Sequence, residues 1–409
     1  MRDVRFSIRS VAAAGVLAAI TLAGQTAANA AAPNAATPNV AAQPDGAPGH
    51  WSQVTNKTTN IADVGLVRGA DGVLHVLWEE GTINGHEGIL DTPIAPSGAV
   101  GHAAVIVSGQ TDASFPDATA TPGGLDVFWN GTKTLTGPEG IFEATRPTRG
   151  GHWTLAPVTA QTLPSSSVTA ATGSDGKPWI SFTNTFHLEL LHQGRPQDDV
   201  RTACCVSQPG IATDGVTGTS YVAYLSLIRN AQGIWLHRLN QAGFTGTAFR
   251  LPGSVTRGNT VVINQRAAIT GHGKGRAGVY LAYGAGFPTY SALEVYRVGA
   301  SKPFALAKFN PLGEHLAGMD ITAGPNGRLW VTWIDGAGSP PALFVRASNS
   351  AATAWTTTAR VPLPRGTQFA WKVYENAQAG KVDVVALLTV SGHLAFYATQ
   401  VPLPPPPKK

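Results

Sequence analysis

Cysteine is nearly absent. The 409 residues contain two, Cys204 and Cys205, and they are neighbours, so no disulfide staples distant parts of this chain together. Charge is sparse as well, 13% of residues, with 29 basic against 24 acidic side chains. An excess this small excludes a nucleic-acid or anionic-membrane partner argued from charge. No G-x-S-x-G, P-loop or H-E-x-x-H motif occurs, so the commonest hydrolase, nucleotide and zinc-protease signatures are missing. Neither a cofactor nor a metal is expected.

Long apolar runs are also lacking. The longest near the N-terminus, VAAAGVLAAITLAG, has 14 residues, short of the ~20 needed to span a bilayer. Three arginines precede it and Ala28-Asn29-Ala30 follows, the three-part layout of a secretory signal peptide cleaved after residue 30. A secreted, extracellular protein with no membrane span after cleavage is expected. Removing the leader takes away three arginines and one aspartate and leaves an excess of three positive charges. Residues 31–49 (AAPNAATPNVAAQPDGAPG) read as a disordered tether, and residues 402–409 as a Pro-rich tail.

What is abundant is glycine, 47 residues, and proline, 29, which suits an all-β chain with many turns. One pattern recurs: an apolar stretch, a Gly-containing turn, then alternating apolar residues closing on an aromatic. Copies are GLVRGADGVLHVLW, DATATPGGLDVFW, TAATGSDGKPWISF, GIATDGVTGTSYVAY, AAITGHGKGRAGVYLAY and DITAGPNGRLWVTW, with a weaker seventh, WKVYENAQAGKVDVVA. They close at Trp78, Trp129, Phe182, Tyr224, Tyr283, Trp333 and Ala386, roughly one unit per 50 residues. Alternation on both sides of an Asp-Gly or Asn-Gly turn means a β-hairpin.

A third strand follows each hairpin (GILDTPI, GIFEATR, LELLHQG, GIWLHRL, ALEVYRV, ALFVRAS, GHLAFYA). A fourth follows in places, as GHWTLAPV and TAWTTTARV. Four short antiparallel strands per unit describe an all-β β-propeller over residues 50–401, with seven blades and six the alternative. The last copy lacks its fourth strand, while the segment GHWSQVTN near residue 50 resembles one. The N-terminal strand should therefore complete the last blade and remove an exposed sheet edge.

Hairpins such as PNGRLWVTWIDG and SDGKPWISFTN resemble secreted bacterial propellers of the sialidase-like, or BNR-repeat-like, type. The resemblance covers residues 50 to 400 and implies a propeller fold; propeller lectins are a looser second likeness. Sialidases carry Asp-boxes, S-x-D-x-G-x-T-W. Ser174-Asp175-Gly176-Lys177-Pro178-Trp179 has those residue types at a different spacing, and the Arg-Ile-Pro motif is missing.

Propellers place ligands where the innermost strands converge, and here the innermost strand precedes the Gly turn. Asp117 and Asp320 stand seven residues before Gly124 and Gly327. Asp63 and Arg266 stand nine before Gly72 and Gly275, on the same strand face. These four side chains are expected to ring one mouth, either as a polar pocket for a sugar or an acid–base pair. The competing reading is that they bond strand ends or line a water-filled channel. A second polar cluster, HLELLHQGRPQDDVRTACC, adds Arg201 as a ligand-binding candidate. Its His187 and His192 are five apart, which puts them on opposite faces of a strand and argues against shared metal ligation.

The two functions these residues admit are binding of an extracellular glycan or cell-surface partner without catalysis, and a glycoside hydrolase or polysaccharide lyase. Repetition without an assignable catalytic constellation favours the first. An oxidising compartment favours a Cys204–Cys205 bridge, and some sialidase-like propellers resemble this chain in carrying such a pair. Adjacent Cα atoms lie only ~3.8 Å apart, so a vicinal disulfide strains the link and requires a turn. Free thiols or intermolecular pairing are the alternatives.

Overall fold

The computed structural model describes residues 50–55, 63–81, 87–132, 139–148, 151–156, 168–184, 187–192, 195–196, 206–226, 231–240, 243–254, 266–286, 291–309, 316–336 and 340–404. The expected leader and tether, the end of the Pro-rich tail, Arg201, Cys204 and Cys205 lie outside them.

Twenty-eight strands form seven four-stranded antiparallel sheets. After β1 (Ser52–Gln53), blade one is β2 (Val64–Arg68), β3 (Leu74–Gly81), β4 (Glu87–Ile94) and β5 (Ala104–Gln110). Blade two is β6 (Asp112–Thr121), β7 (Gly124–Thr132), β8 (Glu139–Pro147) and β9 (Thr154–Leu155). Blade three is β10 (Thr169–Thr172), β11 (Pro178–Asn184), β12 (His187–His192) and β13 (Arg195–Pro196). Blade four is β14 (Val206–Thr213), β15 (Ser220–Ser226), β16 (Gly233–Asn240) and β17 (Gly243–Arg250). Blade five is β18 (Ala268–Gly271), β19 (Val279–Ala285), β20 (Ala292–Arg297) and β21 (Phe304–Lys308). Blade six is β22 (Leu316–Ala323), β23 (Leu329–Asp335), β24 (Ala342–Ala347) and β25 (Ala359–Val361). Blade seven is β26 (Thr367–Gln378), β27 (Lys381–Val390) and β28 (His393–Pro402), completed by β1. The molecule is a seven-bladed β-propeller.

The repeated Gly turn has a physical cause. In blades one, three and six a five-residue loop joins the first two strands, and its fourth residue, a glycine, takes positive φ (81° at Gly72, 76° at Gly176, 76° at Gly327). That conformation strains any residue with a Cβ. The residue before it, Asp71, Asp175 or Asn326, accepts the backbone N–H two residues on, at 3.1, 3.0 and 3.1 Å. The Asp-Gly and Asn-Gly pairs are therefore Asx turns that set hairpin register.

The closing aromatics are core. Trp78, Trp129, Phe182, Tyr224, Tyr283 and Trp333 are all buried. Trp129 clusters with Val67, Leu77 and Ile89 of blade one, and Phe182 with Phe128 and Ile141 of blade two. Full burial of one such side chain stabilises by roughly 1.5–3 kcal/mol. Blade seven departs from the pattern: Ala386 stands at the aromatic position and shares a buried cluster with Trp330 of blade six. The neighbouring blade thus brings the large side chain that the repeat lacks.

Ring closure follows the expected route. Ser52 pairs with Ala398 and Gln53 with Tyr397, and Val54 donates to the Phe396 carbonyl at 2.8 Å. The Thr55 hydroxyl in turn accepts from the Phe396 N–H at 3.0 Å. Deleting residues 50–55 exposes the edge of β28 and removes buried Val54, so a loss of several kcal/mol is expected at about 1 kcal/mol per hydrogen bond. Thermal unfolding and size-exclusion chromatography check this. A deletion variant that stays monomeric with an unchanged midpoint contradicts strand closure.

The seven first strands form the inner ring, β2 beside β6, then β10, β14, β18, β22 and β26 in turn. They approach closely where a glycine removes the side chain. A Cβ on Gly65 would lie 2.8 Å from Asp117 Cα, and one on Gly210 would lie 2.2 Å from the Ala267 carbonyl oxygen. Backbone cannot yield as a side-chain tip can, so Gly210→Ala should destabilise by about 1–3 kcal/mol or more. Urea denaturation reads it; an unchanged midpoint would mean the ring has slack.

Candidate functional site

The inner ring encloses the candidate site, and two repeated carboxylates show how it is built. Asp117 pairs across its hairpin with Phe128 and Asp320 with Thr332, each partner being the residue before the closing tryptophan. The two aspartates therefore occupy the same position in blades two and six, as their equal distance from the turn suggested. Each reaches the next inner strand. Asp117 Oδ2 accepts from the Ala170 N–H at 2.8 Å, and Asp320 Oδ2 from the Glu375 N–H at 2.9 Å. An inner strand is a sheet edge, so these N–H groups have no strand partner on the channel side. The carboxylates satisfy them.

Arg266 enters from just ahead of β18 in blade five and crosses to the other side of the channel. Its Nη1 lies 2.6 Å from Asp117 Oδ1 and its Nε 3.9 Å from Asp63 Oδ2. Nη2 donates to the Val64 carbonyl, and the guanidinium carbon sits 5.4 Å from the Tyr374 ring centroid, a cation–π distance. One side chain thus ties blades one, two and seven to blade five. Burial opposes the guanidinium charge, but Asp117 and Asp63 outweigh it and Arg266 is held protonated. Burial also lifts Asp117 against the pull of Arg266; at 2.6 Å the two are an ion pair.

A second acid pair, Asp320 and Glu375, faces the same space, and among the described residues no cation forms a salt bridge with it. Burial pushes Asp320 up to about 7, against the N–H groups of Glu375 and Ile321 and the charge of Arg266. Burial and then the Asp320 charge hold Glu375 well above the usual carboxylate range. Thr332 donates its hydroxyl to Glu375 Oε2. Glu375 Oε1 and the Tyr374 hydroxyl are buried with no hydrogen-bond partner among the described residues. Lys372, three residues before Glu375 on β26, is drawn down by burial and held up in part by Asp63 and Glu79.

Asp117, Arg266, Asp320, Tyr374 and Glu375 line a cavity of about 190 Å³ together with Thr169, Thr270 and Thr322; Asp63 and Lys372 lie outside its lining. Of the candidates read from the sequence, Asp63, Asp117, Arg266 and Asp320 do meet. Arg266 bonds Asp117 and Asp63, while Asp320 faces the same channel with its own backbone partners. Both Asp117 and Asp320 hydrogen-bond the free edge of the next inner strand, close to the competing reading of strand bonding. Glu375, Tyr374 and Lys372 were missed. The signal was present: WKVYENAQ is the one inner-strand copy with charges of both signs five and eight residues before its turn glycine, Gly380. His187 and His192 occupy opposite ends of β12, where His192 stacks on Trp179 at 4.0 Å and meets Asp175 at 3.0 Å.

No family model matches the chain, and no curated protein matches it in sequence. Solved propellers do resemble it. A catalytically inactive virginiamycin B lyase from Staphylococcus aureus with quinupristin superposes at a TM-score of 0.50 and 12% identity, over 85% of this chain and 98% of the lyase. A Hadza microbial sialidase gives 0.50 at 10% identity, over 87% of this chain and 68% of the sialidase. Drosophila Plexin A in complex with Semaphorin 1b gives 0.49 at 10%, over 88% of each chain. At such identities the likeness is one of fold alone. Among the described residues no helix is long and apolar enough to cross a membrane.

Proposed function

We propose that this propeller is an extracellular binding protein whose channel takes one monosaccharide-sized polar group, the end of a glycan, without catalysis. The observation that carries the reading is the 190 Å³ cavity lined by Tyr374 and Glu375, whose buried Tyr374 hydroxyl and Glu375 Oε1 have no hydrogen-bond partner among the described residues. A cavity of about 150 Å³ accommodates benzene, so this one suits a single six-membered ring and is too small for a polymer or a protein segment. Threonine hydroxyls and carboxyl groups from several blades match the hydroxyls of a sugar. The basic leader at the N-terminus supports an extracellular setting.

Sialidase chemistry fits these residues poorly. Binding a sialic acid carboxylate asks for uncommitted guanidinium, whereas Arg266 is engaged by Asp117 and Asp63. One observation favours a neutral-substrate glycoside hydrolase as the second reading: Asp320, pushed up to about 7, carries a proton at the pH where a general acid needs one.

A glycan array paired with a turnover screen on neutral and uronic-acid glycosides separates the two. Binding with no released sugar is the expected result. Turnover that is lost in Asp320→Asn would establish the hydrolase instead.

A further inference from the structure

We propose that the group bound in the channel carries a primary amine, its ammonium seated between Asp320 and Glu375. The inference rests on the channel being the ligand site and names the class of ligand, an amino sugar or a polar molecule of that size.

Among the described residues lining the cavity the acids are Asp117, Asp320 and Glu375, and the cation is Arg266. Arg266 is committed to Asp117 at 2.6 Å and, beyond the lining, to Asp63. That leaves the Asp320–Glu375 pair with no ligand-side cation. Each Asp320 oxygen accepts one backbone N–H, from Ile321 at 2.8 Å and Glu375 at 2.9 Å, and keeps a second lone pair. Glu375 is 4% exposed; the Thr332 hydroxyl bonds its Oε2 and the Thr322 N–H faces its carboxyl, but no donor among the described residues meets hydrogen-bond geometry at Oε1. Buried acceptors are normally bonded, so an unmet carboxyl oxygen in a cavity asks for a donor. An ammonium has three donors and no acceptor, and its charge also offsets the mutual repulsion of the pair. A neutral hydroxyl meets the first need only.

The groups facing the pair set the pH response. Thr332 of β23 is neutral; Asp117 of β6 and Asp63 ahead of β2 are matched to Arg266, and Lys372 on the same strand stands near Asp63 and Glu79. Arg68 of β2 is held by Asp383 at 2.5 Å. The pair therefore answers to the incoming ammonium, and burial holds protons on it in the empty channel. Amine binding must displace those protons.

Isothermal titration of the full chain with glucosamine and N-acetylglucosamine tests this, since acetylation keeps the ring and removes the charge. Glucosamine should bind at least tenfold tighter, tighten from pH 5 to pH 7, and release protons, read as a heat that depends on the buffer's ionisation enthalpy. Glu375→Gln should close the gap between the two sugars, and Asp320→Asn, nearly isosteric with the protonated acid, gives the same reading should the first variant not fold. Equal or tighter binding of N-acetylglucosamine, weakened by a cavity-filling Thr270→Phe, would overturn the amine and leave the channel site standing. Binding of either sugar that Thr270→Phe leaves untouched, or no binding of either, would overturn both.

Discussion

Replacing Arg266 with methionine should lower the unfolding free energy at pH 7 by about 3–5 kcal/mol, because it strands buried Asp117 and Asp63 without their cation. For a folded domain of about 350 residues that is a fall in the melting midpoint of roughly 4–7 °C. Methionine keeps much of the apolar stem, so the loss reports the charge and not a void. The double variant Arg266→Met with Asp117→Asn should recover part of the loss. An amide at position 117 can still accept from Ala170 while carrying no charge to strand. The coupling between the two substitutions should therefore exceed 1 kcal/mol, well outside the additivity of independent sites. Calorimetry reads both variants. A methionine variant as stable as the parent would mean the guanidinium is not a structural tie across the channel.

The second large effect is on pH. Asp320 and Glu375 have folded-state pKa values raised above those of the unfolded chain, 3.8 and 4.5 for unperturbed groups. The folded protein then binds more protons than the unfolded one between the two values, and stability falls as pH rises. The contribution is whole below about pH 4 and is lost as pH climbs through about 7 for Asp320, with Glu375, also raised, adding to the loss. A shift of about three pH units in Asp320 corresponds to roughly 4 kcal/mol. Urea denaturation from pH 4.5 to 8.5 should show the fall, and Asp320→Asn should flatten it while matching the parent at pH 4.5. A parent profile that rises from pH 5 to 8 would place the pair in water, not in the channel.

Much of the architecture was legible in the chain. Asp71-Gly72, Asp175-Gly176 and Asn326-Gly327 mark turns because positive φ and a side-chain acceptor leave few other solutions. Trp78, Trp129 and Trp333 mark blades because only an interblade core buries an aromatic every 50 residues. The incomplete last repeat even disclosed the ring closure. The aspartates at 117 and 320 could be matched because a hairpin register counts residues from its turn. Glu375 and Tyr374 escaped because blade seven breaks the aromatic rule at Ala386, and the same degeneracy that hid the blade hid its polar residues. The reach of Arg266 from blade five to blades one and two was beyond any local pattern, since the contacts span 149 to 203 residues of chain.

The central claim is that the ligand sits inside the ring. Hydrogen–deuterium exchange on the full chain, with and without the tightest ligand from the glycan array, tests it most directly. Slower exchange in the peptides of β10, β22 and β26 is the predicted result, since these strands carry the cavity wall. Protection confined to outer strands such as β5, β17 or β21, with the inner ring unchanged, would contradict it.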